Sequence, residues 1–146
     1  MIYLERPEDF NPKFEIGSCF LKRDGKFLLL LRQDHKPEGN TWGVPAGKID
    51  AGETPAQATA REMAEETGYS AAPKDLRFFR TGYSRFPEYD FIYHMFFLNL
   101  ARDHEVVIDP ASHKDFRWVT PAEAFAMPLI GDLEDYIKLF YEADTL

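Results

Sequence analysis

The stretch Gly47–Tyr69, "GKIDAGETPAQATAREMAEETGY", decides how the rest of the chain is read. Thr54 is a good helix N-cap, Pro55 suits the first helical position, and Gln57 completes a T-x-x-Q capping box. Gly68 is well placed to stop the helix. The spacing therefore predicts one helix over Pro55–Thr67. Its last turns carry Glu62, Glu65 and Glu66, at the end where the macrodipole disfavours carboxylates by ~0.3–1 kcal/mol each. Glu62 and Glu66 are also a like-charge i,i+4 pair, which costs a further ~0.2–0.5 kcal/mol. Folding alone gives little reason for this arrangement.

At ~100° per residue the three glutamates fall within one arc of a helical wheel. Ala56, Ala60, Met63 and Ala64 lie on the opposite arc, where small side chains would let the helix sit close to a sheet. The acidic arc is then expected to point outward, towards the glycine-rich turn "PAGKIDAGE" that leads into the helix. Carboxylates with no histidine or cysteine nearby select a hard cation. Mg²⁺, or Mn²⁺ in its place, takes a few carboxylates, keeps several waters and accepts phosphate oxygens from a substrate. Arg61 cannot neutralise three charges, but as a fork-shaped donor it can orient them.

These residues carry a family resemblance. Gly47–Tyr69 resembles the Nudix box, G-x5-E-x7-R-E-U-x-E-E-x-G-U, with Gly47, Glu53, Arg61, Glu62, Met63, Glu65, Glu66 and Gly68 in register. Tyr69 departs from the aliphatic final position, a matter of packing. The resemblance implies a Nudix-type α/β/α sandwich with a mixed β-sheet, and hydrolysis of a nucleoside diphosphate linked to another moiety. It implies that Glu62, Glu65 and Glu66 hold Mg²⁺, helped by a backbone carbonyl at Ala46 or Gly47. Glu53 and Arg61 would fix the loop against the helix. Glu65 or Glu66 would take the proton of the attacking water, with Glu88 and Asp90 as candidates outside the box. The leading substrate is a (deoxy)nucleoside triphosphate; an ADP-ribose-type nucleotide sugar and a non-catalytic nucleotide sensor are the alternatives.

Outside the box, "FEIGSCFLKR" and "KFLLLLRQ" are strand-like runs joined by Asp24-Gly25, a strong hairpin signal. The run Leu28–Leu31 shows no alternation, so both faces of that strand should be covered. "TWGVPAGKIDAGE" should form short strand pieces and a tight turn. "LRFFRTGYS", "DFIYHMFFLNLA" and "DFRWV" read as further strands, with the turn-prone "RFPEYD" between the first two. "TPAEAF" opens a second capped helix at Thr120 and Glu123. Leu133, Tyr136, Ile137, Phe140 and Tyr141 recur at helical spacing and predict an amphipathic helix. Residues 1–13 read as an arm or short edge segment preceding one domain, which the whole 1–146 span is expected to form.

The chain has 146 residues, 45% hydrophobic and 15% aromatic, a composition for a packed core. A net charge of −8 argues against binding nucleic-acid polymers or anionic membranes. It leaves a small phosphorylated substrate open, because a bound cation inverts the sign of a site. The lone Cys19 excludes an internal disulfide and reads as a buried thiol. No leader-like or membrane-length apolar run is visible, so a cytoplasmic location is expected. Phe86 and Tyr89, in a predicted loop, are the candidates to stack on a nucleobase, ahead of Trp42 and Tyr93. Arg32, Lys48 and Arg85 are candidates to reach phosphates. His35, His94, His104 and His113 have no metal-ligand spacing. An aromatic-rich strand could support a homodimer.

Overall fold

Strand β2 (Pro12–Arg23) is the axis on which the sheet is assembled. On one side it runs parallel to β7 (Asp90–Asn99), in register from Phe14 opposite Phe91 to Lys22 opposite Asn99, with an irregularity between Phe14 and Pro12, which lies opposite Asp90. On the other it pairs antiparallel first with β5 (Ala46–Lys48) and then, through a tight turn, with β3 (Lys26–Arg32). Asp24 and Gly25 both have positive φ, 52° and 76°, as a two-residue hairpin requires. The computed structural model describes residues 2–100 and 103–144.

Strand β6 (Arg77–Arg85) lies antiparallel on β7, and β1 (Ile2–Tyr3) covers one end of β6. Strands β4 (Trp42–Gly43) and β8 (His113–Val119) both pair with β3. The sheet is therefore mixed, ordered β1-β6-β7-β2-β3-β4, with β5 against β2 and β8 against β3. Helix α1 (Pro55–Thr67) covers one face; α2 (Pro121–Phe125) and α3 (Leu133–Asp144) lie on the other.

Side-chain alternation along β2 and β3 divides the core into two layers. Cys19, Leu21, Leu28 and Leu30 pack with Ala60 and Met63 of α1. Phe20, Phe27 and Leu29 pack with Tyr136, Ile137 and Phe140 of α3. Leu28, Leu29 and Leu30 are fully buried, so this strand is covered on both faces, which is why its sequence does not alternate. The Phe20 and Phe140 rings stack at 4.5 Å. Burial pushes the Cys19 thiol far above its usual range, leaving it a packing residue.

The segment 1–13, expected as an arm or short edge segment, holds the edge strand Ile2–Tyr3 in its described part, and β2 already begins at Pro12. Phe10 is buried with its ring edge-on to Tyr83, because an apolar ring on a short polar segment finds the nearest aromatic groove. The strand "DFIYHMFFLNLA" stops at Asn99, and Ala101 lies outside the described residues. The buried arc of α1 comprises Ala58, Thr59, Ala60, Met63, Glu66 and Thr67, with Ala56 and Ala64 only half-buried. The helix is thus rolled so that Glu66 turns inward. Trp42 is also buried in the core, and Tyr93 stacks on Tyr136 at 4.5 Å.

His113, on β8, is buried, and its ring Nδ1 lies 2.9 Å from the Ser112 hydroxyl. Burial, followed by the Arg32 charge, holds its pKa down at about 4. The unfolded chain then binds a proton that the native protein refuses. This group imposes no penalty above about pH 6.5 and destabilises the fold progressively as pH falls towards 4, by at most about 3 kcal/mol. A His113→Gln variant should therefore show a flatter dependence of unfolding midpoint on pH between 6.5 and 4. Parallel curves for the two proteins would contradict this.

Candidate functional site

The chain leaves β5, turns through Asp50–Gly52 and enters α1 at Thr54. Both halves of the capping box are made: Gln57 N–H donates to Thr54 Oγ1 at 3.1 Å, and Thr54 N–H donates to Gln57 Oε1 at 2.9 Å. Gly68 ends the helix at φ 77°. These devices lay the C-terminal half of α1 across β5. The approach is close enough that a Cβ on Gly47 would fall 2.1 Å from Glu62 Cδ. The bare backbone of Gly47 is the floor on which the Glu62 carboxylate rests.

Glu66 is only 9% exposed, and the Ala46 N–H donates to its Oε1 at 3.0 Å. Burial raises its pKa well above the usual carboxylate range, and the neighbouring Glu62 charge adds to this. The Ala46 N–H and the Arg32 charge oppose the rise. Glu62 is half-buried, and burial raises its pKa too, against the pull of Arg61. The interaction between the two carboxyls raises the pKa of Glu66. Glu65 points to solvent, with its side chain 56% exposed. The expectation that all three face outward, towards the glycine-rich turn, holds in direction, since Glu62 and Glu66 meet Gly47 and Ala46 of that turn, but only Glu65 is exposed; Glu62 is half-buried and Glu66 is buried.

Arg61 is the hub of the surrounding network. Its Nε and Nη2 donate to the two oxygens of Glu53 at 2.9 and 3.0 Å, and Nη1 donates to Glu62 Oε1 at 2.8 Å. Nη2 also reaches the Lys48 carbonyl at 3.1 Å and Asp50 Oδ2 at 3.4 Å. Glu65 Oε1 lies 3.6 Å from Nη1, so the simple i,i+4 ion pair coexists with the larger network. Glu53 Oε1 accepts from the Asp50 N–H at 2.8 Å, and the Arg61 guanidinium holds the Glu53 carboxyl below its usual range. Arg61 and Glu53 thereby tie the turn to the helix and aim Glu62.

Among the described residues, no three His, Cys, Asp or Glu side chains stand in a geometry that could hold a metal ion without rearrangement. The donor set nevertheless fits a hard cation. Two carboxyls crowd together under burial, the Arg32 and Arg61 charges offset this only in part, and the bare Gly47 backbone lies against Glu62. Glu62, Glu66 and the adjoining backbone could hold such an ion, with Glu65 joining by rotation of its exposed side chain.

The other candidates lie around this centre. Arg32, at the end of β3, donates from Nε to the Pro37 carbonyl at 2.8 Å, and its charge is felt at Glu66. Lys48 Nζ sits 4.6 Å from the centre of the Phe14 ring, and Phe14 in turn contacts Tyr89 with ring centroids 5.5 Å apart. Phe86 and Tyr89 are half-buried neighbours in the β6–β7 turn, with ring centroids 5.7 Å apart. The turn separates two hollows, of about 430 Å³ against Asp9, Asn11 and Lys13, and of about 260 Å³ against Pro37 and Glu38.

Of the proton acceptors considered outside the box, Glu88 stands exposed at the tip of this turn. Asp90 is committed elsewhere. Arg85 Nε donates to it at 3.1 Å and the Asn11 N–H at 2.9 Å, and both hold its carboxyl low. Arg85 also binds Asp9, so it joins the N-terminal segment to the turn. His94 bonds Glu15 and Thr81, and His104 bonds the Thr67 carbonyl. The sequence reading missed Asp50, the Ala46 N–H and Glu38. Asp50 had a signal in its position three residues before Glu53, the spacing of a turn. The Ala46 amide had none, because backbone donors carry no residue identity.

A family model described as the NUDIX domain matches residues 13–140. An octanoyltransferase of Myxococcus xanthus is 32% identical over 92% of this chain, which spans 38% of that protein's length. A putative 8-oxo-dGTP diphosphatase of Bacillus subtilis is 30% identical over 64% of this chain, which spans 58% of it. The chain thus covers less than two thirds of either relative. Among solved structures, the MutT protein of Methanosarcina mazei superposes with a TM-score of 0.77 at 24% identity, covering 92% of this chain and 97% of that one. The NUDIX domain of Shewanella oneidensis NrtR, solved with ADP ribose, gives 0.75 at 25% identity, covering 95% and 93%.

Proposed function

Since the chain belongs to the NUDIX domain family, we propose that it hydrolyses a nucleoside diphosphate linked to another group, with a (deoxy)nucleoside triphosphate as the leading substrate and Mg²⁺ or Mn²⁺ as cofactor. The observation that carries this reading is the crowded Glu62–Glu66 pair over the bare Gly47 backbone, aimed by the Arg61–Glu53 clamp. Glu62, Glu65, Glu66 and a carbonyl of Ala46 or Gly47 would hold the ion. When bound, it withdraws charge from the phosphate oxygens and lowers the pKa of a bound water.

The chain's own groups do the remaining work. Arg61 keeps Glu62 and the turn in place, so that little has to reorganise during the reaction. Glu65, open to solvent beside the guanidinium, accepts the proton of the attacking water. The water oxygen bonds to phosphorus, the bridging P–O bond breaks, and the leaving phosphate carries away the electron pair. Arg32 and Lys48 offer positive charge to the phosphates. Phe86 and Tyr89 supply flat apolar walls for the nucleoside.

A nucleotide sugar such as ADP-ribose is the second substrate class, and a non-hydrolysing sensor is the third reading. The NrtR domain solved with ADP ribose supports considering both. The full set of box carboxylates favours hydrolysis over sensing. The deciding experiment is a panel of nucleoside triphosphates and nucleotide sugars with Mg²⁺ or Mn²⁺, detecting phosphate directly and after a phosphatase step. Turnover of a triphosphate to monophosphate and pyrophosphate is the expected result. Tight binding of ADP-ribose with no turnover of any compound would establish the sensor instead.

A further inference from the structure

The hollow of about 260 Å³ between the 33–41 loop and the Phe86–Tyr89 turn has an unusual lining. Its walls are Pro37, Phe86, Pro87 and Tyr89, flat and apolar, and its two charged side chains are both carboxylates, Glu38 and Glu88. It adjoins the candidate catalytic centre through Arg32, which bonds the Pro37 carbonyl and whose charge reaches Glu66. A phosphate would be repelled there. A flat heterocycle bearing N–H donors would not be, because an ionised carboxylate can only accept hydrogen bonds.

Glu38 is built into this position rather than merely exposed near it. Its φ is 53°, in the left-handed region that a residue with a Cβ rarely adopts. Three contacts hold it there. The Gly131 N–H donates to Glu38 Oε1 at 3.0 Å, the Thr41 hydroxyl donates to the Glu38 carbonyl at 2.6 Å, and the Asn40 N–H donates to the Arg32 carbonyl at 3.1 Å. Gly131 in turn lies against Phe86, so that a Cβ there would meet the ring at 3.4 Å. The Gly131 N–H takes one lone pair of Oε1, which leaves the second lone pair of Oε1 and those of Oε2 to accept two adjacent donors from a ligand.

We propose that this cleft seats the nucleobase and that Glu38 selects a base with adjacent N–H donors, guanine over adenine. The proposal rests on the nucleotide-hydrolase reading above. Guanine presents an imino N–H and an amino group side by side, both of which a carboxylate accepts. Adenine presents one amino group beside a ring nitrogen lone pair, which the carboxylate repels. Tyr89 and Phe86 supply stacking that does not discriminate between bases.

The test compares binding of GMP and AMP by calorimetry without metal, and kcat/KM for dGTP and dATP with Mg²⁺. Guanine should be preferred by about tenfold or more in both. In Glu38→Gln the Gly131 N–H keeps the amide oxygen, so an NH₂ group faces the cleft and the hydrogen-bonding sign reverses. The guanine-to-adenine ratio should then fall at least about tenfold, expressed in KM rather than kcat. Tyr89→Ala should weaken both nucleotides about equally. Equal affinity of the wild-type protein for the two bases, or a ratio that Glu38→Gln leaves unmoved, overturns the proposal. Glu38-dependent preference for GMP without turnover of either triphosphate would instead retain the base reading and remove the triphosphate as the substrate.

Discussion

Glu66→Gln is expected to lower kcat/KM by about 10²-fold or more, through loss of the bound cation, while making the metal-free protein more stable at neutral pH. The two effects have one origin. Glu66 is buried against Ala46 with Glu62 beside it, and its pKa is raised well above the usual range. In the unfolded chain the same carboxyl ionises near pH 4.5. The native protein therefore holds the proton more tightly than the unfolded one. The resulting cost to the fold is absent below about pH 4.5, appears as pH rises, and is complete once pH passes the native pKa. Glutamine is isosteric, keeps an oxygen for the Ala46 N–H and carries no charge, so the cost disappears. Thermal melts in chelator from pH 4 to 8 should show the wild type losing stability with rising pH relative to the variant. Adding Mg²⁺ should raise the wild-type midpoint and leave that of Glu66→Gln almost unmoved. Unchanged turnover in the variant would remove Glu66 from the site.

Gly47→Ala should cost about 10²-fold in kcat/KM with little change in stability. The added methyl would stand 2.1 Å from Glu62 Cδ, and something must shift. The atom in the way is the far end of a flexible side chain, so Glu62 swings aside and the backbone stays where it is. Glu62 then breaks from Arg61, and the pair with Glu66 opens. Weaker binding of Mn²⁺, measured directly by calorimetry, should accompany the loss. If the variant bound Mn²⁺ and turned over as the wild type does, Glu62 would not be a ligand. The contrast with Glu66→Gln is diagnostic. One variant removes charge and relieves the fold; the other keeps every charge and only misplaces one.

Helix α1 was legible because its ends are written chemically, in Thr54, Pro55, Gln57 and Gly68. The covered β3 strand was legible from its unbroken leucines. The rotation of α1 was not. Small alanines occupy several arcs of that helix, so no single apolar stripe says which side meets the sheet. The polarity of Glu66 argues for exposure, yet its carboxylate is buried with the Ala46 N–H on it. The parallel pairing of β2 with β7 was equally hidden, because hairpin turns reveal only neighbours in sequence. Phe10 gave no hint of its slot against Tyr83, for a lone aromatic in a polar segment has no period to read. Glu38 has no signal in the sequence; its left-handed backbone becomes apparent only in three dimensions.

The β2–β7 pairing also sets a timetable for synthesis. When the ribosome has delivered α1, the acidic residues and their arginine are already outside, yet β2 still lacks the partner that begins at Asp90. A nascent chain of that length can close the β2–β3 hairpin and cap its helix, but one long edge of β2 stays bare. Loop closure over such a separation is slow relative to hairpin formation. The growing polypeptide thus acquires Arg61, Glu62, Glu65 and Glu66 well before it acquires the scaffold that aligns them. Arrested chains released before residue 90 should be protease-sensitive, whereas those that include Asn99 should begin to resist digestion.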